Sequence, residues 1–383
     1  MKKWTAALSM FAVISSATAA MADITIGVSI ATTGSAASLG IPEKNSLVFA
    51  PKTIAGQKVN FVVYDDASDT TTAVQNTKRL ISEANVDLLI GPSTTPNALA
   101  MVELATEAKT PMISLASGKP IVVPIEKRKW IFKMTANDEI AVGAMVNHMV
   151  KSGVKTVAAI ATDDPYGEAK LKPFAELTAK HGIKVLMVEK FKKTDTSATA
   201  QILKIMSAKP DAVFVVAAGT PSAMPHTALY ERGYKGKVYQ SDGAANSDFL
   251  RVGGKALEGG LVSASPVLVA EQLPKGYPNR EEALKFAKAY EGKFGPRSTF
   301  ASHMWDALKL VETAVPKALK KGKPGTPEFR EALRDAIETA HVKGAYAVFN
   351  FSPTDHSGVD VTGIAMLKIV NGKWKLEDYA KFK

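Results

Sequence analysis

Short, unbroken apolar runs alternate along this chain with stretches of helical periodicity, beginning at residue 24. Ile24 to Ile30 and Lys58 to Tyr64 read as strands, the second ending in Asp65-Asp66. Thr70 to Asn85 sets Ala73, Thr77, Leu80, Ile81 and Ala84 on one helical face, with Asp69 as its N-cap. Asp87 to Gly91 and Pro111 to Leu115 are short buried strands on either side of a helix from Pro96 to Lys109. The rhythm restarts after Lys133. Helices are expected at 140–151, 165–181, 198–208 and 221–232, and strands at 156–161, 184–191, 212–217, 237–240 and 259–263. Pro165 opens one of these helices and Gly182 follows its end, the usual asymmetry of helix termini. Apolar strands alternating with helices predict an α/β chain whose parallel sheet is covered on both faces. From Asn279 to Ala340 the pattern is helical in three pieces, and short strands follow near 347–350, 363–370 and 373–376.

The first 22 residues have a different pattern. Lys2 and Lys3 precede an apolar run from Trp4 to Ile14, and Ala20-Met21-Ala22 offers small residues for cleavage. This is the layout of a secretory signal peptide, and the run is too short to span a bilayer. No cysteine follows to carry a lipid. Removing residues 1–22 from 383 leaves 361, a length suited to two domains. An exported α/β chain works apart from ATP and NAD, so no cofactor is expected. The absence of cysteine excludes disulfides, thiolate catalysis and zinc–thiolate sites. The net charge of +11 becomes about +9 without Lys2 and Lys3. Its lysines are spread evenly, with only short pairs such as Lys192-Lys193 and no basic-aromatic tract. That reads as a solvated surface with some pull on anions, and no nucleic-acid partner is expected.

Ligands of open parallel sheets bind beyond the carboxyl ends of the strands. The residues there are Thr33-Gly34-Ser35, Asp65-Asp66, Gly91 to Thr95, Ala116-Ser117-Gly118, Asp163 to Tyr166, Gly219-Thr220 and Ser241-Asp242-Gly243. Gly91 to Thr95 joins a buried strand to a helix N-terminus, where free N–H groups and the Ser93 and Thr94 hydroxyls can hold a carboxylate. The same hydroxyls can simply cap the helix, and from the motif alone that is the simpler reading. Ser117-Gly118 could add donors or form a turn. Tyr166 can face a cleft or lie half-buried on the surface. Asp242 can pair with a ligand ammonium or shape a turn before Gly243. No nucleophile elbow, zinc-protease motif or phosphate loop is present, so neither catalytic nor metal-binding residues are assigned. Asp65-Asp66 could act as an acid–base pair, although helix entry through Ser68 and Asp69 is more economical.

These pieces, in this order over some 220 residues, resemble the branched-chain amino acid binding group of periplasmic solute-binding proteins that serve ABC importers. The matching segments are Ile26 to Ser35, Tyr64 to Asp69, Gly91 to Pro96, Pro111 to Ser117, Asp164 to Gly167 and Ser241 to Gly243. The resemblance implies two doubly wound α/β lobes joined by three crossing strands near 136, 266 and 361, with a ligand cleft between them. One lobe would hold 23–136 and 267–361, the other 137–266 and 362–383. It implies that Ser93, Ala116 and Gly118 hold a carboxylate, that Tyr166 is the cleft tyrosine and that Asp242 meets an amino group. Thr94, Ser117, Ser35, Leu39 and Thr220 complete the expected ligand-binding set. Two aromatic rings common in the family are replaced by Leu39 and by Gly219-Thr220, which predicts a larger side-chain pocket.

The expected function is periplasmic capture of a branched-chain or other hydrophobic amino acid by a monomer, and its delivery to a membrane permease by hinge closure. An aromatic carboxylate of the benzoate type is the alternative within the family. A secreted hydrolase using Asp65 and Asp66 and a ligand sensor for a receptor are alternatives outside it.

Overall fold

The computed structural model describes residues 22–382, so the expected signal peptide at 1–22 lies outside the described residues except for Ala22. Two sheets organise the chain. At the centre of the first is Ile24–Ile30, between Gln57–Asp65 and Leu88–Ile90, with Met112–Ser114 and Ile131–Lys133 beyond. These strands pair in parallel, and only Thr53–Ile54 runs antiparallel at the edge. In the second sheet Thr156–Thr162, Ala212–Val216, Lys237–Gln240 and Leu261–Ala264 run parallel. Lys184–Phe191 forms one edge, and the antiparallel strands Ala365–Val370 and Lys373–Tyr379 form the other. Ala212–Val216 is buried along its whole length, as its unbroken apolar run requires. The chain is thus α/β with two lobes, as the alternation of strand and helix patterns predicts.

The chain passes between the sheets three times: through 134–137, at the 3-10 turns of Pro266–Gln272, and around Val361–Gly363. Helices Thr299–Ala318 and Pro327–Glu338 return to the first sheet, where Met304, Val311, Phe329 and Leu333 pack with Ile24, Ile26 and Leu88. Helix Arg280–Phe294 lies between the lobes. Its Ala283 and Phe286 pack with Val262, Ala264 and Leu367 of the second sheet, and Phe286 also meets Trp305 edge-on at 5.5 Å. The segment 267–361 is therefore not packed on the first lobe alone.

One helix is invisible in the hydrophobic pattern. Ala37–Ser46 lies in the stretch between the strands at 24–30 and 58–64, where no helix is expected, and it contains Gly40 and Pro42 with no apolar stripe. Packing against Thr299–Ala318 replaces propensity here, and the Ser46 hydroxyl donates to the Ala301 carbonyl at 2.8 Å. Gly40 is required by a close approach, since a Cβ there would lie 2.1 Å from the Ala31 carbonyl oxygen. By helix propensity Gly40→Ala would stabilise by about 1 kcal/mol. The backbone clash reverses the sign, and a net loss of roughly 1–3 kcal/mol is expected in urea melts. A gain in stability would contradict this packing.

Candidate functional site

Strand ends and helix starts from both lobes converge on one enclosed cavity of ≈ 30 Å³. A water needs roughly 10–15 Å³ by this measure, so the walls must move apart before a ligand of several heavy atoms can enter. The first lobe presents Ser93, Thr94, Ala116 and Ser117, and the second presents Tyr166 and Asp242. Gly118, Ser35, Leu39 and Thr220 do not line the cavity.

The groups expected to hold a carboxylate are mostly engaged within the protein. Ser93 Oγ donates to buried Glu43 and accepts from the Ala31 N–H at 3.1 Å. The Ala116 N–H donates to Ser114 Oγ at 3.1 Å, and the Gly118 N–H to Thr95 Oγ1 at 3.2 Å. Thr94 is freer. It is the N-cap residue of Thr95–Glu107 and makes no side-chain cap hydrogen bond, and it lines the cavity with Thr95 and Pro96 of that helix start.

Asp242 sits in a buried network of charges. Lys170 is 1% exposed, and its Nζ lies 2.8 Å from Asp242 Oδ1 and 2.9 Å from Asp138 Oδ1. The Tyr166 hydroxyl lies 2.9 Å from both Asp242 Oδ1 and Ser241 Oγ, and it accepts from the Gly243 N–H at 3.0 Å. Burial opposes ionisation of Lys170, but Asp138 and Asp242 outweigh it and hold the ammonium well above its usual range. Burial likewise pushes Asp242 up, yet Lys170 and Tyr166 bring it below the usual carboxylate range. Lys133, also buried, donates to the Ser117 and Ala136 carbonyls at 2.7 and 2.9 Å, and burial lowers it to about 8. With both lysines charged, the two buried cations balance Asp138 and Asp242.

Thr299–Ala318 supplies walls that the sequence pattern did not assign, namely Thr299, Phe300 and His303. Phe300 packs with Ala31, Ala36 and Leu39 of the first lobe and Ala218 of the second. Phe300 thus lines the cavity beside Leu39, one of the two positions where the resemblance leads one to expect a ring. Opposite Leu39, Gly219 has φ +74°, and a Cβ there would lie 2.9 Å from Ser38 Oγ and 3.0 Å from Leu39 Cδ1. Tyr346 completes the wall. Asp306 accepts the Ala345 and Tyr346 N–H groups at 2.5 and 2.8 Å, and Ser265 Oγ donates to the Tyr346 carbonyl at 2.7 Å.

Asp65 and Asp66 do not form an open acid pair. Asp65 accepts from the Thr32 N–H and Ala67 N–H, each at 2.9 Å, and from the Thr33 hydroxyl at 2.6 Å. Asp66 is buried and accepts from the Ser68 N–H at 2.9 Å. Neither lines the cavity. Burial raises Asp66 to about 6, against the opposing effect of Asn97 and Ser68. Burial also raises Glu43 well above its usual range, with Ser93 opposing and Asp66 adding to the rise.

One sequence signal for the network existed. Tyr166, Lys170 and Phe174 recur at every fourth position of helix Pro165–Lys180, which places the lysine on the buried face. His303, one turn after Phe300, carried no comparable mark.

Two variants probe these charges. Lys170→Met leaves Asp138 and Asp242 buried without their cation, and a loss of about 3–5 kcal/mol in chemical denaturation is expected. A loss below about 1 kcal/mol would show that the network is not coupled. For Asp66, the folded state holds more protons than the unfolded between pH 3.8 and about 6. Stability therefore falls as pH rises through that window, by up to about 3 kcal/mol. Asp66→Asn should flatten that slope and raise the melting temperature at neutral pH; an unchanged pH profile would refute it.

A sequence profile of the periplasmic binding protein family matches residues 23–373. An extracellular ligand-binding receptor from Rhodopseudomonas palustris HaA2 is 40% identical, with a TM-score of 0.89, covering 93% of this chain and 100% of that one. A Leu/Ile/Val-binding protein homologue from Brucella melitensis is 24% identical over 332 residues, 82% of this chain and 87% of that protein. A solute-binding protein of an ABC transporter from R. palustris, solved in complex with benzoate, shares the fold at a TM-score of 0.81 and 21% identity, covering 94% of this chain and 96% of its own. Together with two α/β lobes meeting at a shared cavity, these matches establish that the chain belongs to the periplasmic binding protein family.

Proposed function

We propose that this protein captures a small organic acid lacking an ammonium group, of the aromatic carboxylate class, in the periplasm and delivers it to an ABC permease. The observation that carries this reading is Lys170 Nζ at 2.8 Å from Asp242. The acid that the resemblance assigns to a ligand ammonium already holds an internal cation. A second ammonium beside Lys170 would add repulsion between like charges in a buried site. A carboxylate meets better conditions. The start of Thr95–Glu107 lines the cavity with its positive dipole end, Ser117 and Lys193 also line it, and the charges around it balance. Charge-assisted hydrogen bonds contribute roughly 1.5–3 kcal/mol each, so two or three plus burial of a ring approach the ~8 kcal/mol of micromolar binding.

The ≈ 30 Å³ cavity supports a cycle in which the lobes part to admit the ligand and close over it. In this reading the lobes divide near 136, 266 and 361, and the protein acts as a monomer. Ser93, Ala116 and Gly118 shape the carboxylate pocket through their internal hydrogen bonds, while Thr94 and Ser117 reach the ligand. Leu39, Ser35 and Thr220 contribute at the closing edges of the cleft.

A thermal-shift panel of benzoate-type acids and of leucine, isoleucine and valine tests the proposal. Saturating acid, at about 100 times its dissociation constant, adds about 2.7 kcal/mol of stability. The acids are expected to raise the melting temperature and to compact the protein in small-angle scattering. Shifts from the aliphatic amino acids with none from the acids would refute it.

A further inference from the structure

His303 is a side chain of the cavity wall whose chemistry the capture of a carboxylate leaves unused. It is 4% exposed and lines the cavity, and neither ring nitrogen has a hydrogen-bond partner among the described residues. The Leu115 carbonyl lies close enough to favour the charged ring, yet burial dominates and pushes the imidazole down to about 3. It is neutral at any physiological pH. A neutral imidazole carries one N–H donor and one bare acceptor nitrogen.

Two aromatic rings flank the imidazole. Phe300 meets it edge-on at 5.5 Å and Tyr346 at 4.8 Å. His303 stands one turn before Asp306, whose carboxylate fixes the Ala345-Tyr346 turn, so the imidazole and the tyrosine ring are set by the same helix. The Tyr346 hydroxyl accepts from the Ala136 N–H at 3.3 Å, and its own proton has no acceptor among the described residues. The cavity wall thus includes, at His303 and Tyr346, polar groups without a hydrogen-bond partner among the described residues, packed with Phe300. Buried polar groups of this kind are ordinarily satisfied, and unsatisfied ones call for a partner that comes and goes.

We infer that His303, with Tyr346 beside it, is a specificity-determining pair that receives a hydroxyl carried by the ligand in addition to its carboxylate. A hydroxyl both donates and accepts, so it can give its proton to the bare nitrogen and take one from the imidazole N–H or from Tyr346. A carboxylate at this position would use donors only and leave the bare nitrogen unpaired. An ammonium would use the acceptor only, beside Lys133 and Lys170, which already carry positive charge. The ligand class is therefore a hydroxylated aromatic carboxylate. This deepens the organic-acid reading and rests on it.

Calorimetric titration of the full mature chain with benzoate and with its 2-, 3- and 4-hydroxy derivatives tests the assignment. At least one hydroxy isomer is expected to bind tenfold or more tightly than benzoate. His303→Leu should abolish that advantage, bringing the hydroxy isomers to the affinity that the same variant has for benzoate, and His303→Gln, which keeps a donor and an acceptor, should restore most of it. Melting curves of both variants confirm that they are folded. Equal affinity for benzoate and all three isomers overturns the inference, as does an advantage that survives His303→Leu. Binding of leucine with no binding of any of the four acids defeats the organic-acid reading itself and this inference with it, whereas benzoate binding without discrimination defeats this inference alone.

Discussion

The buried ammonium of Lys170 between Asp138 and Asp242 constrains the rest of the site. Three ionised groups removed from water are tolerated only as a set, since each would lose several kcal/mol of solvation alone. The set joins the start of helix Asp138–Lys151, the buried face of helix Pro165–Lys180 and the turn after Lys237–Gln240. It also ties in the first lobe, because the Lys119 N–H donates to Asp138 Oδ2 at 2.7 Å. Tyr166 takes its position from the same network through Asp242 and Ser241.

The proposed specificity rests on this arrangement. Relatives named for leucine, isoleucine and valine share the fold, but a fold does not fix a ligand. Here Asp242 is paired with Lys170 from within, and Phe300 lines the cavity from a helix remote in sequence. The remaining polar capacity is the helix N-terminus at Thr94-Thr95 and the unpaired groups of His303 and Tyr346. On the proposed reading, these groups suit acids whose other polar groups are uncharged.

A second buried cluster supports the cleft from behind. Ser93 connects Glu43, on the helix at Ala37–Ser46, to the Ala31 N–H at the end of the first strand. Asp66 lies near enough to raise Glu43 further. This is why Ser93 lines the cavity without offering its proton to it, and why the helix at 37–46 persists without propensity of its own.

The periodicity of the chain by itself determined the α/β class, nearly every strand and helix, and the strand ends at which ligands gather, because apolar alternation and capping are local properties. Ser93, Thr94, Ala116, Ser117, Tyr166 and Asp242 were legible for that reason, and the structure brings them to one cavity. Only the tertiary structure decided what those residues are free to do. Lys170 neutralises Asp242, Glu43 takes the Ser93 proton, and Phe300 and His303 arrive from a helix some 200 residues downstream of Ser93. Pairing of buried charges and filling of a cavity depend on distances between segments that no local pattern encodes.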